Sequence, residues 1–276
     1  MSIVDAFLFH NEIDVLKMRL ELHYDYVDRF CICEADLTFS GKPKERTFDA
    51  RRSEFGRWQN KIEYVRHFAK ADGLDLYRKD TEFNFSSPAW TLENSQRNNL
   101  AAACLKNAND DDIVIISDVD ELINPEAFER IKSRKDFDIA RLQLLNHYYF
   151  MNCRAVGLNK WWCAPIAVRA SRLKTINDIS SMRPYGEIDD VILQAGWHFS
   201  YLGGVERIMD KISSFSHTEL DNPDINNAEN ISKSIEKATD YIGREGHEYA
   251  FYPTGSYPDC IQKLMTKNRH LVKWYL

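Results

Sequence analysis

The stretch "DDDIVIISDVDELINP", residues 110–125, places carboxylates where they could do chemistry. Ile113 to Ile116 form an apolar β-branched run that reads as a buried strand, and Asp118, Asp120 and Glu121 follow at once. Two carboxylates with a single residue between them, Asp118 and Asp120, repel unless a cation or a proton intervenes. A hard divalent ion resolves this, because it prefers oxygen ligands and recruits phosphate oxygens. The chemical expectation is Asp-x-Asp joined through Mn²⁺ or Mg²⁺ to a diphosphate. The plain alternative is a solvated acidic loop with helix-capping duty. Two mechanisms use such a placement. In sugar transfer from a nucleotide sugar, the metal acts on the departing diphosphate. In a haloacid-dehalogenase-like phosphatase, Asp118 would be the nucleophile and Asp120 the acid/base. That phosphatase pattern wants small residues and Thr or Val after the motif, on the first strand. Here Glu121 and Leu122 follow on about the fourth, so phosphatase chemistry ranks second. A non-catalytic nucleotide-sugar or carbohydrate-binding protein is the third reading.

The elements that must hold these residues alternate along the first 125 positions. Strands are expected at 3–9, 29–35, 61–67 and 112–117. Helices are expected at 11–24, with Asn11 as N-cap, and at 91–108, with Thr91 as N-cap. Asn124 and Pro125 read as N-cap and first residue of another helix. Near-continuous apolar strands between helices predict an α/β fold with a mostly parallel, Rossmann-like sheet covered on both faces. In such sheets ligands bind beyond the carboxyl ends of the strands, where Asp118 and Asp120 fall. The second half, with "DIARLQLLNHYYFMN", "APIAVRA" and "DDVILQAGWHFSYL", predicts a mixed, partly antiparallel extension. An apolar stripe at 204–215 predicts a helix, and 248–260 an ordered surface loop. The whole is read as a single domain over 1–276, its nucleotide half at 1–125 and its acceptor half at 126–276.

Composition narrows the function. The chain has 276 residues, 44% hydrophobic and 28% charged, with a net charge of −6. That suits a globular protein with a real core and argues against nucleic acid or an anionic membrane as partner. There is no membrane-length apolar run, and "MSIVDAFLFHNEIDVL" has no basic start and is broken by Asp5, so a cytoplasmic protein is expected. Six cysteines without a CxxC read as buried thiols rather than a zinc site.

Three ordered blocks carry a resemblance: residues 5–44, "IISDVDELINP" and "AGWHFSYLGGVERIMDKISSFSH". Together they resemble glycosyltransferase family 17, the family of enzymes that add the bisecting N-acetylglucosamine to N-glycans. The resemblance implies a GT-A-type fold, an inverting mechanism, a UDP-sugar donor, a glycan acceptor, and Mn²⁺ or Mg²⁺. Lacking the Golgi anchor of the animal enzymes, the chain looks like the soluble members. By resemblance Asp120 is the direct metal ligand, and Asp118 holds the ribose, the metal or a metal-bound water. His198 reaches the metal or the diphosphate, with His217 as rival. Phe9, Asn11 and Glu12 lie near uridine, and Glu34, at the end of the second strand, faces base or ribose. Arg97 is placed to reach the diphosphate, while Lys42 and Lys44 read as a surface turn. Inversion needs a base for the acceptor hydroxyl, and Glu187 and Asp189 in "YGEIDDVI" are the expected pair. Trp161, Trp162, Tyr148 and Tyr149 offer an apolar wall to an acceptor sugar.

Overall fold

The segment Ile3–Leu8 (β1) is buried along its whole length, so it must be covered on both faces. A computed structural model of the chain describes residues 1–274 apart from Tyr77, Lys79, Lys135, Pro184 and Tyr185. In it β1 pairs in parallel with Arg29–Ala35 (β2) and Ile113–Asp118 (β4), and β2 with Ile62–His67 (β3). The parallel part therefore runs β3-β2-β1-β4. Alternation along β1 splits its side chains between two cores. Ile3 and Phe7 join Leu16 and Leu20 of helix Ile13–His23 (α1). Val4, Ala6 and Leu8 join Leu100 and Cys104 of helix Pro88–Leu105 (α3). Each such fully buried aliphatic side chain contributes about 1.5–3 kcal/mol. A short helix, Thr47–Ala50 (α2), lies between β2 and β3.

Beyond β4 the direction reverses. Ile166–Arg169 (β9) pairs antiparallel with β4, and Ile139–Tyr148 (β6) antiparallel with β9. Cys153–Ala155 (β7) and Tyr249–Phe251 (β11) extend that edge. Val191–Ser200 (β10) runs parallel to β6 and antiparallel to the short strand Glu121–Ile123 (β5), and Trp161–Trp162 (β8) pairs with β6. The outcome is an α/β fold with a mixed sheet of eleven strands among the described residues, as the sequence pattern led one to expect. The remaining helices are Pro125–Ser133 (α4), Ala170–Leu173 (α5), Ile179–Met182 (α6), Val205–Ser214 (α7), Ala228–Lys237 (α8) and Asp259–Lys267 (α9).

Several boundaries differ from expectation. Asn11 does not cap α1; its amide donates to Asp210 at 2.8 Å. The long helix starts at Pro88, three residues before Thr91, because Ser87 accepts the Trp90 N–H at 3.3 Å and Pro88 needs no donor there. Asn124 caps α4 as expected, at 3.1 Å from the Glu126 N–H. Glu121 is no cap but the first residue of β5, and residues 248–260 hold β11 and the start of α9 as well as loop. The six cysteines are free thiols, with Cys31 and Cys33 both fully buried on one face of β2. Among the described residues no helix is long and apolar enough to cross a membrane.

Candidate active site

The acidic loop is fixed from below. Arg19 of α1 is fully buried and donates to the carbonyls of Asp118 at 2.7 Å and Glu121 at 2.8 Å, and to the Ser117 hydroxyl at 2.5 Å. Its guanidinium is ion-paired with Asp5 of β1, whose Oδ2 also meets His23 Nδ1 at 2.7 Å. Burial alone would raise Asp5, but Arg19 and His23 outweigh it and hold the carboxyl at about 2. The Ile123 N–H donates to His23 Nε2 at 2.9 Å, which fits the neutral ring that burial favours. One strand and one helix thus clamp the loop through a buried charge pair.

The carboxylates are neutralised by cations from distant parts of the chain. Asp118 accepts from Arg97 of α3 at 2.9 Å and from Arg183 at 3.1 Å on each oxygen. Burial works against its ionisation, yet Arg183 and Arg97 hold it well below the usual carboxylate range. Fully buried Glu121 accepts from Arg183 at 2.8 and 2.6 Å, and from Trp162 Nε1 at 2.6 Å. Burial pushes its carboxyl up to about 7, against the pull of Arg183. Arg183 is held by its own backbone: Arg141 of β6 donates to the carbonyls of Arg183 and, at 2.5 Å, Gly186.

Asp120 has a different neighbourhood. Its Oδ2 accepts from Lys211 of α7 at 2.8 Å, and its Oδ1 lies 3.7 Å from His198 Nε2. Strand pairing sets that second distance. His198 of β10 is opposite Glu121 of β5, and the Phe199 N–H donates to the Asp120 carbonyl at 2.8 Å. The pairing needs Gly196, since a Cβ there would lie 2.1 Å from the Leu122 carbonyl oxygen. Trp162 stacks on the His198 ring at 4.8 Å. Burial lowers His198 to about 4, which leaves it neutral with a lone pair available. Burial opposes the charge on Lys211, but Asp120 and Glu12 keep it raised.

These groups line a cavity of about 690 Å³ beyond the carboxyl ends of β1, β2 and β4. Of the residues singled out from the sequence, Phe9, Glu12, Arg97, Asp118, Asp120 and His198 line it. His217 and Lys44 line it too, His217 bonded to Glu219 at 2.7 Å. Lys44 is thus no mere surface turn; it also reaches Glu34 at 3.3 Å. Asn11 and Glu34 are not among the lining residues. Glu34 is fully buried and accepts from Tyr64 at 2.8 Å and from the Phe48 N–H, so it ties α2 and β3 to β2. Glu187 and Asp189 are exposed and outside the lining, on the segment just before β10. Of the expected acceptor wall, Trp161, Trp162 and Tyr148 line the cavity and Tyr149 does not, while Arg183 and Lys211 escaped the sequence reading. Lys211 had a signal, a cation within the amphipathic 204–215 pattern; Arg183 in "SMRPYG" had none.

Whether the site fits a divalent ion depends on its donors. Among the described residues no group of three or more His, Cys, Asp or Glu side chains gathers for a metal. Both Asp118 oxygens are held by guanidinium groups, so Asp118 does not complete such a group. Asp120 and neutral His198 fit as two protein ligands, the form in which phosphate oxygens and water supply the rest. The same grip on Asp118 leaves no free carboxylate for the phosphatase's aspartyl nucleophile.

The profile of glycosyltransferase family 17 matches residues 1–271. The beta-1,4-mannosyl-glycoprotein 4-beta-N-acetylglucosaminyltransferase of Rattus norvegicus is 28% identical over 127 residues, 44% of this chain. That match spans about a fifth of the relative's length, 21%. Among solved structures, HddC from Yersinia pseudotuberculosis has a TM-score of 0.40 at 9% identity, over 73% of this chain and 91% of that one. The 2-C-methyl-D-erythritol 4-phosphate cytidylyltransferase of Francisella tularensis has a TM-score of 0.34 at 10% identity, over 71% of this chain and 91% of that one.

Proposed function

The chain belongs to glycosyltransferase family 17, and from that premise we propose that it transfers N-acetylglucosamine from a UDP-sugar to a glycan hydroxyl, with inversion, on a GT-A-type fold. The observation that carries the reading is the set Asp120, His198 and Lys211 at the open end of the parallel sheet, beside Arg97 and Arg183. The sugar is taken from the name of the rat relative.

In this reading Lys211 and Arg97 stand where a diphosphate gathers negative charge as it leaves. Preorganised cations in a water-poor cavity stabilise such charge without reorganising. Asp118 acts with Arg97 and Arg183 to set the position of both guanidinium groups. Asp120 and His198 would hold Mn²⁺ or Mg²⁺, which when bound neutralises diphosphate charge. Phe9 and Glu12 line the side of the cavity assigned to the nucleoside, with Lys44 nearby. The base that takes the acceptor proton is not Glu187 or Asp189 in this account, because neither reaches the cavity. Incubation with UDP-N-acetylglucosamine, Mn²⁺ and an N-glycan mixture, followed by mass spectrometry, tests the reading. The expected product is heavier by one N-acetylhexosamine, and NMR of its anomeric proton reads β. Turnover to an α product, or none with any UDP-sugar, overturns it.

A further inference from the structure

One carboxylate-bound imidazole in the cavity stands apart from the Asp120–His198 pair. His217 follows the end of α7, the helix that carries Lys211 to Asp120. Its Nδ1 lies 2.7 Å from Glu219 Oε1, and both side chains line the cavity. Three rings hold the imidazole in place: Trp90 at 5.1 Å, Phe215 at 5.4 Å and Phe83 at 5.6 Å between centroids. The preceding residue ties it to the cation cluster, since the Ser216 hydroxyl donates to Glu93 at 2.5 Å and Glu93 accepts from Arg97 at 2.7 Å. A carboxylate at Nδ1 fixes the tautomer, so that Nδ1 donates and Nε2 keeps a lone pair. Among the described residues that Nε2 has no hydrogen-bond partner, and it is not occluded, the side chain being 36% exposed.

We propose that His217 is the general base of the transfer and that Glu219 positions it. The proposal rests on the transfer reading above and supplies the group that Glu187 and Asp189 do not. The acceptor hydroxyl gives its proton to His217 Nε2 as the oxygen's electron pair bonds to C1 of the donor sugar. The bond from C1 to the β-phosphate oxygen breaks, and its electron pair leaves on UDP. The imidazolium then passes the proton to water, so donor and acceptor become glycoside, UDP and H⁺. Glu219 stabilises the imidazolium as it forms. Competing groups are engaged. Glu93 is held by Arg97 and Ser216, and Glu12 by the N–H groups of His10 and Asn11 at 3.3 and 3.0 Å. Asp118 is held by two guanidinium groups and Asp120 by Lys211. Of the histidines that line the cavity, His217 alone among the described residues has a carboxylate at hydrogen-bond distance: His10 is 3.9 Å from Asp210 and His198 3.7 Å from Asp120.

The test uses the full chain with Mn²⁺, UDP-N-acetylglucosamine and the N-glycan mixture. His217→Ala should lower the initial transfer rate at saturating donor by about 100-fold or more, the low end of the range for a general base, and leave donor affinity by calorimetry as in the parent. Added imidazoles should restore transfer by that variant, faster as their basicity rises, which a packing role of the ring would not produce. Glu219→Gln keeps the size of the side chain and reports even if His217→Ala misfolds. It should slow transfer at unchanged donor affinity. The proposal is overturned if both variants transfer at the parent's rate, if donor affinity falls along with the rate, so that the ring holds the nucleotide instead, or if imidazoles restore nothing. A parent that binds no UDP-sugar fails the donor reading and the base with it, whereas a parent that transfers while both variants keep its rate fails only the base.

Discussion

Asp118 and Asp120 are two residues apart and do different work. Asp118 is gripped by two guanidinium groups, whereas Asp120 faces one ammonium and one neutral imidazole. Lys211→Met should therefore lower kcat by about 100-fold, the scale seen when one preorganised charge-stabilising group is removed. Steady-state kinetics with UDP-N-acetylglucosamine checks this, and an unchanged kcat takes Lys211 out of the reaction. Asp120, His198 and Arg97 were legible at the sequence level because an acidic pair after an apolar strand, and a histidine in a matching block, mark themselves. Arg183 and Lys211 were not, because only tertiary folding brings residues 62 and 91 positions away against the loop. Glu187 and Asp189 had the right chemistry and stand near the start of β10 in sequence, but nothing in their local pattern says which side of the sheet that start faces.

At the scale of elements, the crossing of β5 and β10 decides the site. β5 is only three residues long, too short to declare itself through alternation, so the sequence reads there as an acidic loop. The strands of the parallel half were legible because each is a continuous apolar run between helices. Gly196 is the point where the crossing is tightest. Gly196→Ala should cost about 1–3 kcal/mol, the usual penalty of overpacking, and lower the melting temperature by several degrees. It should also raise the KM for donor, because His198 moves with the strand. Thermal melts and kinetics read both, and a variant that melts and turns over like the parent would show that β5 does not depend on this approach.

At the scale of the whole molecule, buried histidines set the acid limit of stability. His147 is fully buried, and burial lowers it to about 3, well below the ordinary value of 6.5. A depressed folded pKa means that the stability it contributes is present above 6.5 and is lost as pH falls toward 3. The loss runs at about 1.4 kcal/mol per pH unit in that window. His198 acts in the same sense down to about 4, while Glu121, raised to about 7, gains stability as pH falls from 7 toward 4.5 and offsets one of the two. The melting temperature should therefore fall between pH 6 and 4, and His147→Asn should flatten that fall. Parallel curves for the two proteins would contradict the assignment.

The account's central claim is that Asp120 and His198 hold the charged end of a nucleotide-sugar donor. The most direct measurement is calorimetric titration of UDP-N-acetylglucosamine into the protein with and without Mn²⁺, repeated for Asp120→Ala. The account predicts binding that Mn²⁺ strengthens by about 10-fold or more in the parent, about 1.4 kcal/mol, and an effect of Mn²⁺ that vanishes in the variant. Equal affinity with and without Mn²⁺ in the parent, or a variant that still responds to the metal, would contradict it.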